Sequence, residues 1–107
     1  MPIQIAFERS TAGPVVICDH CGKRIDTANN GNALFLEEHC NGQSRIIGPI
    51  VFTHKVCNGD FETAHKPAKD QIWAFNDLDV FLVYLTRNLK VDFPNATRRA
   101  DLLSNIL

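Results

Sequence analysis

Cys18 and Cys21 are separated by two residues, and so are His54 and Cys57 roughly thirty residues further on. Thiolate sulfur and imidazole nitrogen are the donors that Zn²⁺ prefers, and it takes four of them in a tetrahedron at about 2.0–2.3 Å. A two-residue gap lets both side chains of one tight turn reach a common point. It does the same for one side chain at a strand end and another on the first turn of a helix. One such pair is a weak signal. Two of them in one short chain make Cys18, Cys21, His54 and Cys57 the expected zinc ligands. Four protein ligands also fill the coordination shell, leaving no position for water or substrate, so a site of this kind is structural and not catalytic.

Other donors remain. Cys40 is a thiol outside the set and an alternative to His54 in a four-cysteine site; its other reading is a free thiol or a small buried apolar side chain. His20 lies inside the Cys18–Cys21 turn and is expected on the surface. His65 falls near the end of a short helix, where an imidazole suits the negative pole of the helix dipole without any catalytic role.

The flanking segments are those needed to carry the ligands. Ile3, Ile5 and Phe7 alternate with Gln4, Ala6 and Glu8, a half-buried strand. Thr11-Ala12-Gly13-Pro14 reads as a turn, and Val15-Val16-Ile17 as a strand running into Cys18. Gly22 allows the knuckle to close so that backbone N–H groups point at the thiolates. Asp26 to Asn32 reads as a polar loop, Ala33 to Leu36 as a short strand, and His39 to Arg45 as a loop around Asn41-Gly42. Ile46 to Thr53 is a second strand, bent at Gly48-Pro49 and placed at a sheet edge by its proline, and it delivers His54. Asn58 is the expected N-cap of a short helix that Pro67 stops. Ala68 to Phe75 reads as a connector with Trp73 and Phe75 as core anchors. Asn76, with Asp79 three residues on, resembles a capping box. It opens a helix on which Leu78, Phe81, Leu82, Leu85 and Leu89 recur at helical spacing, with Val80, Val83 and Tyr84 widening the apolar surface. Such a surface is buried either in the protein's own core or against a partner. A last helix from Asn95 places Ala96, Ala100, Leu103 and Leu107 on one face.

Length and composition set the remaining bounds. At 107 residues the chain is one domain, 1–107. It divides into a zinc module over 14–67 and a helical extension over 76–107. The apolar residues concentrate in the last third, so the loop-rich remainder needs the help that a metal gives. Eleven Lys and Arg against 12 Asp and Glu give a formal charge of −1. Three thiolates and one Zn²⁺ would take the total to about −2. That balance excludes a general polyanion binder while leaving room for a local basic face. The N-terminus has no secretory pattern, and the longest apolar run, Val80 to Leu85, is too short to span a bilayer. A cytoplasmic protein is expected, with its cysteines on metal and not in disulfides.

The order of knuckle, hairpin, second strand and His-x-x-Cys at the start of a short helix resembles the treble-clef zinc-finger group over residues 14–67. The resemblance makes Cys18 and Cys21 the knuckle ligands and His54 and Cys57 the strand-end and helix ligands. The ligand order Cys, Cys, His, Cys is also similar to the first half of a LIM domain, although the Cys21–His54 interval is longer and no second half follows. The nucleases of the HNH type share a ββα unit. His39 and His65 would stand for their two histidines, but Arg45 to Val51 lacks the asparagine.

The expected fold is therefore α+β, with zinc-knuckle hairpins and a short helix followed by two packed C-terminal helices. The expected function is a non-enzymatic, zinc-stabilised protein–protein adaptor or regulator, whose partner is another protein or a second copy of the chain through Leu78–Leu89. Nucleic-acid binding through Lys23, Arg24, Arg45 and Lys55, with Arg98 and Arg99 as a second basic point, is the alternative, and an HNH-type nuclease stands third. No small-molecule substrate and no membrane association is evident.

Overall fold

In a computed structural model the described residues are 3–8 and 11–103, with side chains described outside 6–8 and 11–13. Two strands, β1 (Ile3–Glu8) and β2 (Thr11–Val16), form an antiparallel hairpin. Thr11 to Pro14, expected as a turn, is strand instead, with Pro14 opposite Ile5. A two-stranded ribbon has an open edge on each strand, so a residue with no N–H is accommodated there. Ile3 and Ile5 are 53% and 65% exposed, whereas Val16, paired with Ile3, packs against the core cluster. The Phe7 side chain and Leu107 lie outside the described residues.

The central sheet has the order β4-β3-β5, all antiparallel, built from β3 (Gly31–Cys40), β4 (Gln43–His54) and β5 (Gln71–Asp77). β3 and β4 are longer than the sequence pattern implies. The turn between them is only Asn41-Gly42, both with positive φ (53° and 75°), the tight hairpin turn that this dipeptide favours. His39 and Arg45, expected in a loop, are therefore paired strand residues. β4 lies at the sheet edge, as its proline requires, and the ladder shifts so that Gly48, Pro49 and Ile50 oppose the single residue Phe35. β5 replaces the expected connector. Within it Trp73 is half-buried and donates its indole N–H to the His65 carbonyl at 2.7 Å, whereas Phe75 is 51% exposed and anchors nothing.

Among the described residues three α-helices follow. α1 (Asn58–Ala64) follows a 3-10 turn at Lys55–Cys57 and buries Phe61, whose ring meets Trp73 edge-on at 5.4 Å. α1 ends before Pro67, in keeping with the expected stop. α2 (Leu78–Leu89) starts directly from β5, with Asp77 and not Asn76 at its N-cap position and no capping side chain. α3 (Phe93–Leu102) starts two residues before Asn95, and Asp92 caps it by accepting from the Asn95 N–H at 3.2 Å.

One apolar cluster joins the pieces: Cys18 and Ile25 of the knuckle, Ala33 and Phe52 of the sheet, and Leu78 of α2, with Phe81 packed against it. Phe52 and Phe81 meet as an edge-to-face pair at 5.8 Å. Gly31 lets α2 approach closely, since a Cβ there would stand 2.9 Å from Leu78 Cδ2. Beyond Leu78 and Phe81, α2 departs from own-core burial: Val80, Leu82, Val83, Tyr84, Leu85 and Leu89 are 40–66% exposed. α3 buries none of its residues.

Candidate metal centre

The knuckle forms because β2 passes into a hydrogen-bonded turn. Ile17 bridges Arg24, Ile25 N–H donates to the Val16 carbonyl, and Cys18 N–H donates to the Lys23 carbonyl at 2.8 Å. Gly22, at φ +76°, closes it by donating to the Cys18 carbonyl at 2.9 Å. A residue with a Cβ is strained at that φ, which explains the glycine after the second cysteine. The turn is fastened to β4 by Asp19. Its backbone N–H donates to the Phe52 carbonyl at 2.7 Å, and its carboxylate accepts from the Phe52 N–H at 2.8 Å.

The opposite half is supplied by the end of β4. His54 is the last strand residue, paired with Gly31, and the 3-10 turn that follows turns Cys57 back towards the knuckle. The four ligand-type atoms of Cys18, Cys21, His54 and Cys57 all lie within 4.8 Å of one another. Cys21 Sγ and His54 Nδ1 are 3.4 Å apart. A tetrahedron with bonds of about 2.0–2.3 Å has edges of about 3.3–3.8 Å, so this donor set fits a single metal ion. Among the described residues no other grouping of this kind occurs. The four cysteines are not bridged to one another.

Hydrogen bonding assigns roles within the set. His54 Nε2 lies 3.1 Å from the Arg24 carbonyl, an acceptor, so this nitrogen carries the hydrogen and Nδ1 keeps its lone pair towards the cysteines. Cys18 Sγ accepts from the N–H groups of Cys21 (3.5 Å) and His54 (3.3 Å). Burial pushes the Cys18 thiol up, but the amides of Cys21, His54 and His20 together outweigh it and bring its pKa down to about 6. Cys57 moves the other way, to about 11, through burial and the nearby Cys18 and Cys21 sulfurs. Three thiolates in one place repel, and a divalent cation is what allows all of them to ionise together.

The remaining donors are elsewhere. Cys40 is the last residue of β3, at the end of the ladder remote from the Gly31–His54 pair. Nine strand steps put it about 30 Å away, so it does not replace His54. His39 is engaged by Ser44 at 2.9 Å and Glu37 at 3.3 Å. His65 stacks on Phe61 at 4.2 Å, with Nδ1 3.0 Å from the Phe61 carbonyl. His20 is exposed. Arg45 belongs to the distal hairpin end, not the metal face, and is paired with Glu38 at 2.7 Å. Arg24 meets Asp26 at 3.3 Å and Lys55 meets Asp77 at 3.6 Å. Carboxylates thus accompany three of the four basic residues expected to form a phosphate-binding face.

Asp19 and Asn32 were not legible as supports of the site. Asn32, buried on β3, donates to Asn58 Oδ1 at 3.1 Å, and Asn58 donates in turn to the Glu62 carboxylate. Asn58, expected as an N-cap, is therefore the first residue of α1 and a bridge from helix to sheet. An aspartate directly after the first knuckle cysteine is the signal that could have marked Asp19. Comparison with protein-family models, with curated proteins and with solved structures gives no match for this chain.

Proposed function

We propose that Cys18, Cys21, His54 and Cys57 hold one structural Zn²⁺ in a treble-clef arrangement, and that the chain is a non-enzymatic, cytoplasmic protein-binding module. The convergence of three sulfurs and one imidazole from two distant segments carries this reading. Three thiolates and a neutral imidazole are a donor set that suits zinc over Mg²⁺ or Ca²⁺, which take oxygen. The four residues complete a tetrahedral shell, so the ion links the knuckle to the strand end and activates nothing. Exposed apolar surface on α2, beyond what the core uses, is the feature that favours protein binding. Metal analysis of protein purified without chelator is the test. One equivalent of zinc supports the reading, and metal-free protein with a cooperative fold overturns it.

A further inference from the structure

The three thiols of the candidate metal centre are not equivalent. Cys18 is 1% exposed, Cys57 is half-buried and Cys21 is exposed. The N–H groups of Cys21 and His54 donate to Cys18 Sγ, whereas among the described residues no N–H donates to Cys21 Sγ. A thiol that coordinates a divalent cation is deprotonated. Three thiolates, a neutral imidazole and one Zn²⁺ leave the centre with a net charge of about −1, so its sulfurs stay electron-rich. An N–H···S bond draws on that density and burial keeps reagents away, and oxidation follows thiolate character together with exposure. Cys18 is protected in both ways and Cys21 in neither. Cys40 is exposed too, but it lies at the far end of the sheet from the other three cysteines.

The turn that exposes Cys21 also brings it to Cys18. Gly22 N–H donates to the Cys18 carbonyl at 2.9 Å, and the Cys21 nitrogen lies 3.5 Å from Cys18 Sγ. Cα atoms three residues apart in a tight turn stand less than about 7 Å from each other. A disulfide spans roughly 4.4–6.8 Å between Cα atoms, so the two sulfurs can join without unfolding the knuckle.

We infer that Cys21 is the oxidant-reactive sulfur of the centre, and that a peroxide converts Cys21 and Cys18 to a disulfide and thereby releases the ion. This rests on the zinc reading of the same four residues and adds its regulation. The Cys21 thiolate attacks one oxygen of hydrogen peroxide. An S–O bond forms, the O–O bond breaks, and the departing hydroxide takes a proton to become water. The Cys18 thiolate then attacks the sulfur of the Cys21 sulfenic acid. An S–S bond forms, the S–O bond breaks, and the second hydroxide also takes a proton. Two electrons pass from the sulfurs to the peroxide, and two protons are consumed. His54 and Cys57 alone do not complete a tetrahedral shell, so the link between the knuckle and the end of β4 opens.

The test uses the full chain carrying Cys40→Ser, which takes the remote thiol out of the reaction. Zinc content is measured first. Hydrogen peroxide is then added, ion release is followed with a chromophoric chelator, and the products are mapped by mass spectrometry. Residues 10–23 fall in one tryptic peptide, because no Lys or Arg lies between Arg9 and Lys23. The expected result is one zinc released for each Cys18–Cys21 disulfide formed, with zinc binding restored by a dithiol reductant. In a separate sample without peroxide, limiting iodoacetamide is expected to alkylate Cys21 at least about tenfold faster than Cys18 or Cys57. Zinc retained after peroxide, a disulfide to Cys57 in place of this one, or first alkylation at Cys18 or Cys57 would overturn the inference and leave the zinc reading standing. Protein that carries no zinc at the start would remove both.

Discussion

His54 Nε2 lies 3.1 Å from the carbonyl oxygen of Arg24, so the imidazole is held by the knuckle even apart from any ion. The contact fixes the ring and leaves Nδ1 3.4 Å from Cys21 Sγ. Metal-binding histidines are commonly oriented this way through their other nitrogen, and such supports tune affinity. Structural zinc contributes about 10–16 kcal/mol through four ligands, so one ligand is worth about 3 kcal/mol, or about a hundredfold in affinity. His54→Ala should lower zinc affinity by about that factor, measured by competition with a chromophoric chelator. His54→Cys, which restores a fourth donor, should recover most of it. Equal affinity for His54→Ala and wild type would remove His54 from the site.

Zinc affinity should rise with pH. In the metal-free site Cys57 keeps its proton up to about 11 and Cys18 loses its proton near 6. Zinc binding expels the Cys57 proton throughout the range below 11, which alone makes affinity climb about tenfold per pH unit. Below about 6 Cys18 also has a proton to lose, and the dependence steepens. Chelator competition between pH 5.5 and 8.5, roughly, checks this. A flat profile would contradict it.

Asp19 should contribute to the stability of the knuckle, by less than a metal ligand does. Its carboxylate takes the Phe52 N–H at 2.8 Å, and removing the side chain takes that acceptor away. Asp19→Ala should destabilise the zinc-loaded protein by about 1–2 kcal/mol, and Asp19→Asn by less, since an amide oxygen can still accept. Thermal unfolding measures both. Identical midpoints for Asp19→Ala and wild type would show that the latch is dispensable.

Gly31 and Leu78 should not behave independently. A Cβ at Gly31 meets Leu78 Cδ2 at 2.9 Å and Ile25 Cγ2 at 3.1 Å, so Gly31→Ala should destabilise by about 1–3 kcal/mol. Leu78 is 2% exposed, and Leu78→Ala should destabilise by about 2–5 kcal/mol. Leu78→Ala also makes room for the new methyl group, so the double variant should be more stable than the two losses added together. Denaturant unfolding in a double-mutant cycle tests this, and strict additivity would contradict the packing described.

Much of the site was legible in the sequence, because ligand spacing is a local property: the Cys18–Cys21 turn and the His54–Cys57 step each need only three peptide units to set their reach. The strand ends that deliver them were legible for the same reason. The extent of the β3–β4 hairpin was not. His39, Ser44 and Arg45 are polar because that end of the ladder has no core beneath it, so nothing in hydrophobic pattern separates them from loop. Their strand character comes from main-chain pairing, which leaves no compositional trace. β5 was missed because Ile72, Trp73, Ala74 and Phe75 are apolar without alternation. Asn76 gave a capping signal, but the helix begins only after the strand ends at Asp77. Leu78 sits in the same buried cluster as Cys18, so the candidate ligand cluster and α2 share one core. Cys21→Ser or Cys57→Ser should therefore loosen α2 as well as the metal-binding segments.

X-ray absorption at the zinc edge of protein purified without chelator addresses the central claim most directly. The expected result is one zinc per chain with three sulfurs near 2.3 Å and one nitrogen near 2.0 Å, roughly. A shell made mainly of oxygen, or four nitrogen and oxygen donors with the cysteines oxidised, would contradict it.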